Sequence, residues 1–254
     1  MFKYLPVHLE FLGTAGYHPN ETRHTSCVWL AEAARDESFV LDEGTGFFRL
    51  GAREVGRKVH IFLSHAHLDH VAGLTYLLDV VYQTRAQIAL YADARTLAAI
   101  KGGLFDSPLF PLAFSYETHE ITPRSPFEVA GVAVETFPLT HPGGSLAFRF
   151  AWPDGPSLCY VTDTLGDGLY HDFIQGCDTL IHERNFSNQL AHLAEPSGHC
   201  TSRALVEAAR FSGAKRVIAT HFNPLTGGDP LEEDDVYAQL PNVLAAYDGL
   251  KVEL

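Results

Sequence analysis

The sequence predicts an α/β (α+β) fold of four layers: two β-sheets packed face to face, helices on the outer side of each, an αββα sandwich forming one domain over residues 1–254. Three observations carry that expectation. Short β-branched and aromatic runs, closed by glycine or acidic residues, recur along the chain. Apolar residues at helical spacing follow several of them. The same succession of strands and helices occupies both halves, with no low-complexity segment or break in composition between them.

In the first half, "HLEFLGT" (8–14), "SCVWLAEA" (26–33), "SFVLDEG" (38–44) and "VHIFLSH" (59–65) read as strands. Val71, Leu74, Leu78 and Val81 then fall on one face of a helix. The strand "QIALYAD" (87–93) precedes a helix from Ala94 to Lys101. Residues 102–126, rich in Pro, Phe and Ser, have no period; they are expected as surface connection, with Phe105, Phe110, Phe114 and Tyr116 packed inward, or as a cleft cover or subunit contact.

The second half opens with "FEVAGVAVETFPLTH" (127–141), "SLAFRFAW" (145–152), "SLCYVTD" (157–163) and "DTLIHER" (178–184) as strands. A helix follows with Thr201 as N-cap and Ala204, Leu205, Ala208 and Phe211 on its apolar side. "RVIATHF" (216–222) is the next strand, and a final helix runs from Leu231 to Tyr247, acidic at its start where the helix dipole favours negative charge.

A formal net charge of −13 would repel a long nucleic-acid backbone, and no run of Lys and Arg offsets it. A small anionic substrate stays compatible, because metal charge acts locally. No stretch offers the ~20 apolar residues of a membrane span. Cys27, Cys159, Cys177 and Cys200 are widely spaced, and no signal-peptide pattern opens the chain, so reduced thiols and a cytoplasmic location are expected.

The chemistry-bearing stretch is "IFLSHAHLDHVAG" (61–73). In the extended segment His65 and His67 lie two residues apart and project to one side, while Asp69 and His70 fall where the helix begins. Four such groups beside an apolar strand would be costly to desolvate without a metal or ion partner, and imidazole with carboxylate is the usual donor set for zinc and related ions. One short cluster cannot complete two sites. His141, Asp163, His182 and His221 stand at or near the ends of later strands, a position that alone suits a ligand or an ordinary strand-end residue. His8, His18, His24, His60, His119, His171 and His192 are taken as ordinary core or surface residues.

His-x-His-x-Asp-His, followed by separated His, Asp and His on later strand ends, resembles the metallo-β-lactamase superfamily over essentially the whole chain. The resemblance implies two divalent metal ions, zinc first, with manganese or iron also accommodated. It places His65, His67 and His141 on one ion, Asp69, His70 and His221 on the other, and Asp163 between them. Asp42 in "FVLDEGTG" would steady the ligand loop from behind, and His182 would stand beside the ligands without binding metal. Two ions about 3.5–4 Å apart share a hydroxide and drive hydrolysis. The oxygen-reducing branch resembles His-x-Glu-x-Asp, whereas position 67 is histidine. Thr162 departs from the glycine that many relatives carry before the bridging aspartate.

"SGHCTS" (197–202), "IHERN" (181–185), "THFNP" (220–224) and the opening "LGTAGYHPNETRHTS" resemble the RNase Z-like phosphodiesterases, with Cys200 in place of serine and Arg184-Asn185 in place of Ala-Thr. That likeness makes Asp69, His199 and Glu183 the catalytic residues, His199 protonating the leaving alkoxide and Glu183 orienting it. His199 and Thr201 also fit the start of a helix. RNase Z carries a tRNA-gripping arm between its third metal histidine and the bridging aspartate; His141 and Asp163 are only twenty-two positions apart. A small phosphodiester, cyclic or nucleotide-like, is therefore the expected substrate, and a homodimer is compatible with it. Thioester or lactone hydrolysis by the same ligands is the alternative, and a non-catalytic metal-binding protein a third reading.

Overall fold

The computed structural model describes residues 6–32, 36–110 and 115–254. Ala33 and Phe114, named in the expectations above, lie outside them. The chain divides into two compact units, Met1–Thr122 with Asp248–Leu254, and Pro123–Tyr247.

Among the described residues the first unit holds one seven-stranded sheet in the order β14-β1-β2-β3-β4-β5-β6. Its strands are β1 (Val7–Gly13), β2 (Cys27–Glu32), β3 (Glu37–Leu41), β4 (Lys58–Phe62), β5 (Gln87–Ala92), β6 (Glu117–Glu120) and β14 (Lys251–Glu253). Val59, Ile61 and Leu63 face one side, with Val40, Ile88 and Leu90, and pack against Phe47, Leu50, Leu74, Leu77 and Val80. His60 and Phe62, of opposite parity, meet Phe39 and Tyr91 instead. A parallel strand buried on both faces reads as the continuous apolar run seen in the sequence.

The helix expected across Val71–Val81 is interrupted. Helix α1 (Leu68–Val71) gives way to a 3-10 turn at Ala72–Tyr76 before α2 (Leu77–Thr84). The cause lies at Gly73, whose N–H donates to the Glu43 carbonyl at 2.7 Å, and where a Cβ would stand 2.5 Å from the Gly44 oxygen. The tighter turn advances the helix by about one residue, so Leu77 and Val80 face inward and Leu78 is 43% exposed. Helix α3 (Ala94–Ala99) is capped by Asp93, which accepts from the Thr96 N–H at 2.8 Å, and runs on into a π-helical turn at Ile100–Phe105. The expected surface connection thus holds a helical turn and β6, an exposed strand of Glu, Thr and His that carries no apolar signal.

The second unit repeats the plan. Its sheet runs β13-β12-β11-β10-β9-β8-β7, from β7 (Phe127–Val129), β8 (Val132–Leu139), β9 (Ser145–Ala151), β10 (Ser157–Val161), β11 (Thr179–Glu183), β12 (Arg216–Thr220) and β13 (Val243–Ala245). Each sheet, followed from one edge, makes three antiparallel pairings and then three parallel ones, which is the internal repetition expected from element order. The helices are α4 (His171–Ile174), α5 (Ala191–Ser197), α6 (Ser202–Ser212) and α7 (Val236–Gln239). Leu205, Ala208 and Ala209 of α6 and Val236 of α7 share a core with Cys159, Val161, Leu180, Val217 and Ala219. Phe211, expected on that apolar side, is 42% exposed and stacks on His171.

The long final helix does not form. Asp235 takes a left-handed backbone (φ 50), and Pro241 forbids helix at the residue before it, so only Val236–Gln239 is helical and Val243–Ala245 joins the sheet.

Candidate metal centre

In the amino-terminal unit β3 and β4 run parallel with Leu41 opposite Phe62, so both carboxyl ends open on the same edge. His65 is buried and His67 exposed, and α1 brings Asp69 and His70 back alongside. The ring of His65 lies 4.4 Å from that of His67 and 4.3 Å from that of His70, centre to centre. Asp42, fully buried, is held at φ 57 and turned under the loop. Its Oδ1 accepts from the Ser64 N–H (2.7 Å), and its Oδ2 from the Ser64 hydroxyl (2.9 Å) and His70 Nδ1 (2.8 Å). His65 Nδ1 lies 2.9 Å from the Ser64 Oγ. With its Nδ1 bonded to Asp42, His70 presents Nε2, which lies 3.4 Å from Asp69 Oδ2. The Tyr17 N–H donates to that same oxygen at 2.7 Å.

In the carboxy-terminal unit β8, β10, β11 and β12 point the same way, and His141, Asp163, Glu183 and His221 fall at or just beyond their carboxyl ends. Asp163 faces two histidines: Oδ2 is 3.4 Å from His141 Nε2, and Oδ1 is 3.1 Å from His221 Nε2. Two atoms bound at ~2.0–2.1 Å to one tetrahedral ion stand about 3.4 Å apart, so these separations fit carboxylate and imidazole sharing a metal. His141 Nδ1 donates to the Gly198 carbonyl at 2.9 Å, which aims Nε2 at Asp163. Burial holds the His141 ring below its ordinary pKa, in the neutral form that a metal requires. His221 takes φ 56, with the Asn185 carboxamide 3.2 Å from both its ring Nδ1 and its carbonyl.

His199 lies in the turn between α5 and α6, and its Nδ1 donates to Glu183 Oε1 at 3.1 Å. Glu183 is fully buried; its Oε1 also accepts from the Thr164 N–H (2.7 Å) and its Oε2 from the Cys200 N–H (3.1 Å). Burial raises this carboxyl, but His199 outweighs it and brings it below the ordinary carboxylate value. His199 Nδ1 is 4.0 Å from Asp163 Oδ2, and its side chain is 15% exposed, which makes it the open member of the group.

His182 touches Tyr170, whose hydroxyl donates to its Nε2 at 2.7 Å, and donates from Nδ1 to the Glu183 carbonyl. It follows Leu180 by two residues and so shares that residue's helix-covered face, away from the ligands. Thr201 stands at the N-cap of α6, but its side chain makes no capping bond. The sequence marks Arg184 only as a departure from Ala-Thr; it is a buried guanidinium whose Nε donates to Ser202 Oγ (2.8 Å) and whose Nη2 donates to Glu233 (2.9 Å). No sequence signal marks Glu43, whose carboxyl oxygens have no hydrogen-bond partner among the described residues and which burial, then the charge of Asp42, drives well above the ordinary range. His60, taken as ordinary, bonds Glu37 and Tyr91 in the sheet.

Residues 42–222 match the family profile described as the beta-lactamase superfamily domain, a stretch opening on Asp42 and closing one residue past His221. The chain belongs to the metallo-β-lactamase superfamily. Its curated relatives include the Ribonuclease Z of Synechococcus sp. (strain CC9311), 27% identical over 98% of this chain and 99% of the relative. That alignment runs over 313 positions against 254 residues here, so the relative carries segments that this superfamily member lacks. Among solved structures, the metallo-beta-lactamase fold protein YhfI from Bacillus subtilis superposes with a TM-score of 0.81 at 20% identity, covering 98% of this chain and all of that one. The short form of human tRNase Z superposes with a TM-score of 0.72 at 25% identity, covering 96% and 98%. This metallo-β-lactamase superfamily protein is an RNase Z-like, metal-dependent hydrolase with the α/β sandwich fold of its neighbours.

Proposed function

We propose that the protein is a dinuclear phosphodiesterase for small phosphodiesters, cyclic or nucleotide-like. In this reading His65 and His67 join His141 on one divalent ion, Asp69 and His70 join His221 on the other, and Asp163 serves both. The observation that carries it is the His199–Glu183 dyad set beside an Asp163 whose two oxygens face different histidines. The family profile runs through both units, which supports treating residues 1–254 as one working domain. Two divalent ions, zinc first, supply a water made nucleophilic near neutral pH and a clamp for the oxygens of the displacement.

The chain's own residues do the rest. Asp42 and the Gly198 carbonyl fix the rings of His70 and His141 by their Nδ1 atoms. Glu183 holds His199 by Nδ1, leaving Nε2 to hand a proton to the departing alkoxide. The alkoxide of a diester leaves poorly without that proton, whereas a thiolate does not need it, which is why the dyad favours a phosphodiester over a thioester.

Small substrates are supported by the net charge of −13, the short His141–Asp163 interval and the segments present in Ribonuclease Z but not here. Free cysteines, all four buried, agree with a cytoplasmic location, and among the described residues no helix is long and apolar enough to cross a membrane.

His199→Ala should lower turnover of a 2′,3′-cyclic nucleotide, which expels an alkoxide, by ~100-fold or more, with a far smaller loss on bis(p-nitrophenyl) phosphate, whose p-nitrophenolate needs no proton, while metal content stays at the wild-type level. Unchanged turnover of the cyclic nucleotide removes the proposed acid. Wild-type preference for a thioester or a lactone over the diester overturns the phosphodiesterase reading.

A further inference from the structure

Beside the histidine loop the amino-terminal unit contains a cavity of about 340 Å³. Leu68, Val71, Tyr76, Ile100, Leu104 and Leu109 line it. Val71 and Ile100, 5% and 3% exposed, form its floor, whereas Leu68 and Leu109 stand at its rim 76% and 80% exposed. Ala66 and Leu68, both in the lining, are the neighbours of His67 on either side, so the cavity is continuous with the metal-binding loop.

The local sequence explains why this space is open. After α3 the chain widens into the π-helical turn Ile100–Phe105, and the packing of Phe105 on Phe110 and Tyr116 pins the end of that turn. Gly103 faces the cavity without a side chain, and a Cβ placed there would meet nothing within 4 Å. The volume is at the lower end of the ~300–1,000 Å³ of small-molecule sites. Among the described residues no charged side chain lines it, so a phosphate or a sugar hydroxyl inside would lose water without gaining a charged partner. An apolar group would instead cover Leu68 and Leu109.

Resting on the phosphodiesterase reading above, we infer that this cavity receives an apolar ester group, aryl or short alkyl, on one arm of the substrate, and selects such diesters over those with two polar arms. The remaining arm stays free to be nucleotide-like.

The test is a series of p-nitrophenyl alkyl phosphates, identical in leaving group and differing only in a methyl, butyl or hexyl arm. Wild-type kcat/KM should rise at least ten-fold from methyl to hexyl. Gly103→Leu, which fills the cavity, should compress the hexyl-to-methyl ratio at least five-fold. Leu109→Asp, at a rim position 80% exposed, should compress it as well. Equal kcat/KM for methyl and hexyl esters, or an unchanged ratio in both variants, overturns the cavity assignment while diester hydrolysis stands. Chain-length dependence confined to acyl thioesters keeps the cavity and overturns the phosphodiesterase reading. Calorimetry with methyl- and hexylphosphonate reads the cavity without turnover: hexyl at least ten-fold tighter supports it, and equal affinity overturns it.

Discussion

Asp42 and His221 both hold left-handed backbones, φ 57 and 56, a conformation that costs a non-glycine residue of order 1–3 kcal/mol. In Asp42 the strained turn brings both carboxylate oxygens under Ser64 and His70, so one residue orders the loop backbone and fixes a ring at once. Asp42→Asn keeps the shape but puts an amide where His70 needs an acceptor. Metal affinity should fall by ~10–100-fold, read by competition with a chelator, with the far-UV spectrum unchanged. Wild-type affinity in that variant would detach Asp42 from ligand orientation. At this scale the sequence was most informative where a strand ran directly into a His or Asp, as at Asp163 and His221. At His182 the parity of the strand, shared with Leu180, turns the ring to Tyr170 while its Nδ1 bonds the Glu183 carbonyl. Arg184 was illegible as a tie because its partner Glu233 lies 49 residues on.

The elements themselves were legible wherever burial imposes a period. Val59–His60–Ile61–Phe62 reads as a strand because both its faces are covered, and β6 does not because neither is. The broken helix at Gly73 and the missing helix after Leu231 share a cause of another kind: a backbone contact or a proline overrides a side-chain pattern. Polar ties between elements are equally hard to read. Asp178, just before β11, accepts from the N–H and hydroxyl of Ser157 at the start of β10, both at 2.8 Å, and from Lys215 at 2.7 Å. The Lys215 bond first, and those from Ser157 after it, hold this carboxyl below its ordinary value. A depressed folded value stabilises the protein above the unfolded value near 4 and ceases to do so as pH falls through the folded one. Asp178→Asn should therefore cost about 1 kcal/mol at pH 7, a figure kept small because Lys215 is 83% exposed, and less at about pH 3, where the unfolded carboxyl is already largely protonated. Urea unfolding at both pH values measures it; an equal deficit at each would mean that charge plays no part.

For the molecule as a whole, the repeated order of strands is legible in the sequence, whereas the identical pairing pattern of the two sheets is not, since pairing depends on partners remote in sequence. The remotest partner is the segment that closes the first sheet. Asp248 accepts from Thr14 (2.8 Å), the His24 N–H (2.7 Å) and Arg49 (3.0 Å), and Gly249 and Leu250 bond Phe11 just before β14 pairs with β1. The ribosome delivers these residues after every strand of the second unit. A nascent chain stalled with residue 246 at the tunnel exit should therefore leave β1 open to protease while β10 to β12 resist it, and seven or eight further residues should close the gap. Protection of β1 in the shorter chain would show that its partner is dispensable. Vectorial synthesis would thus make the first sheet to emerge the last to be finished.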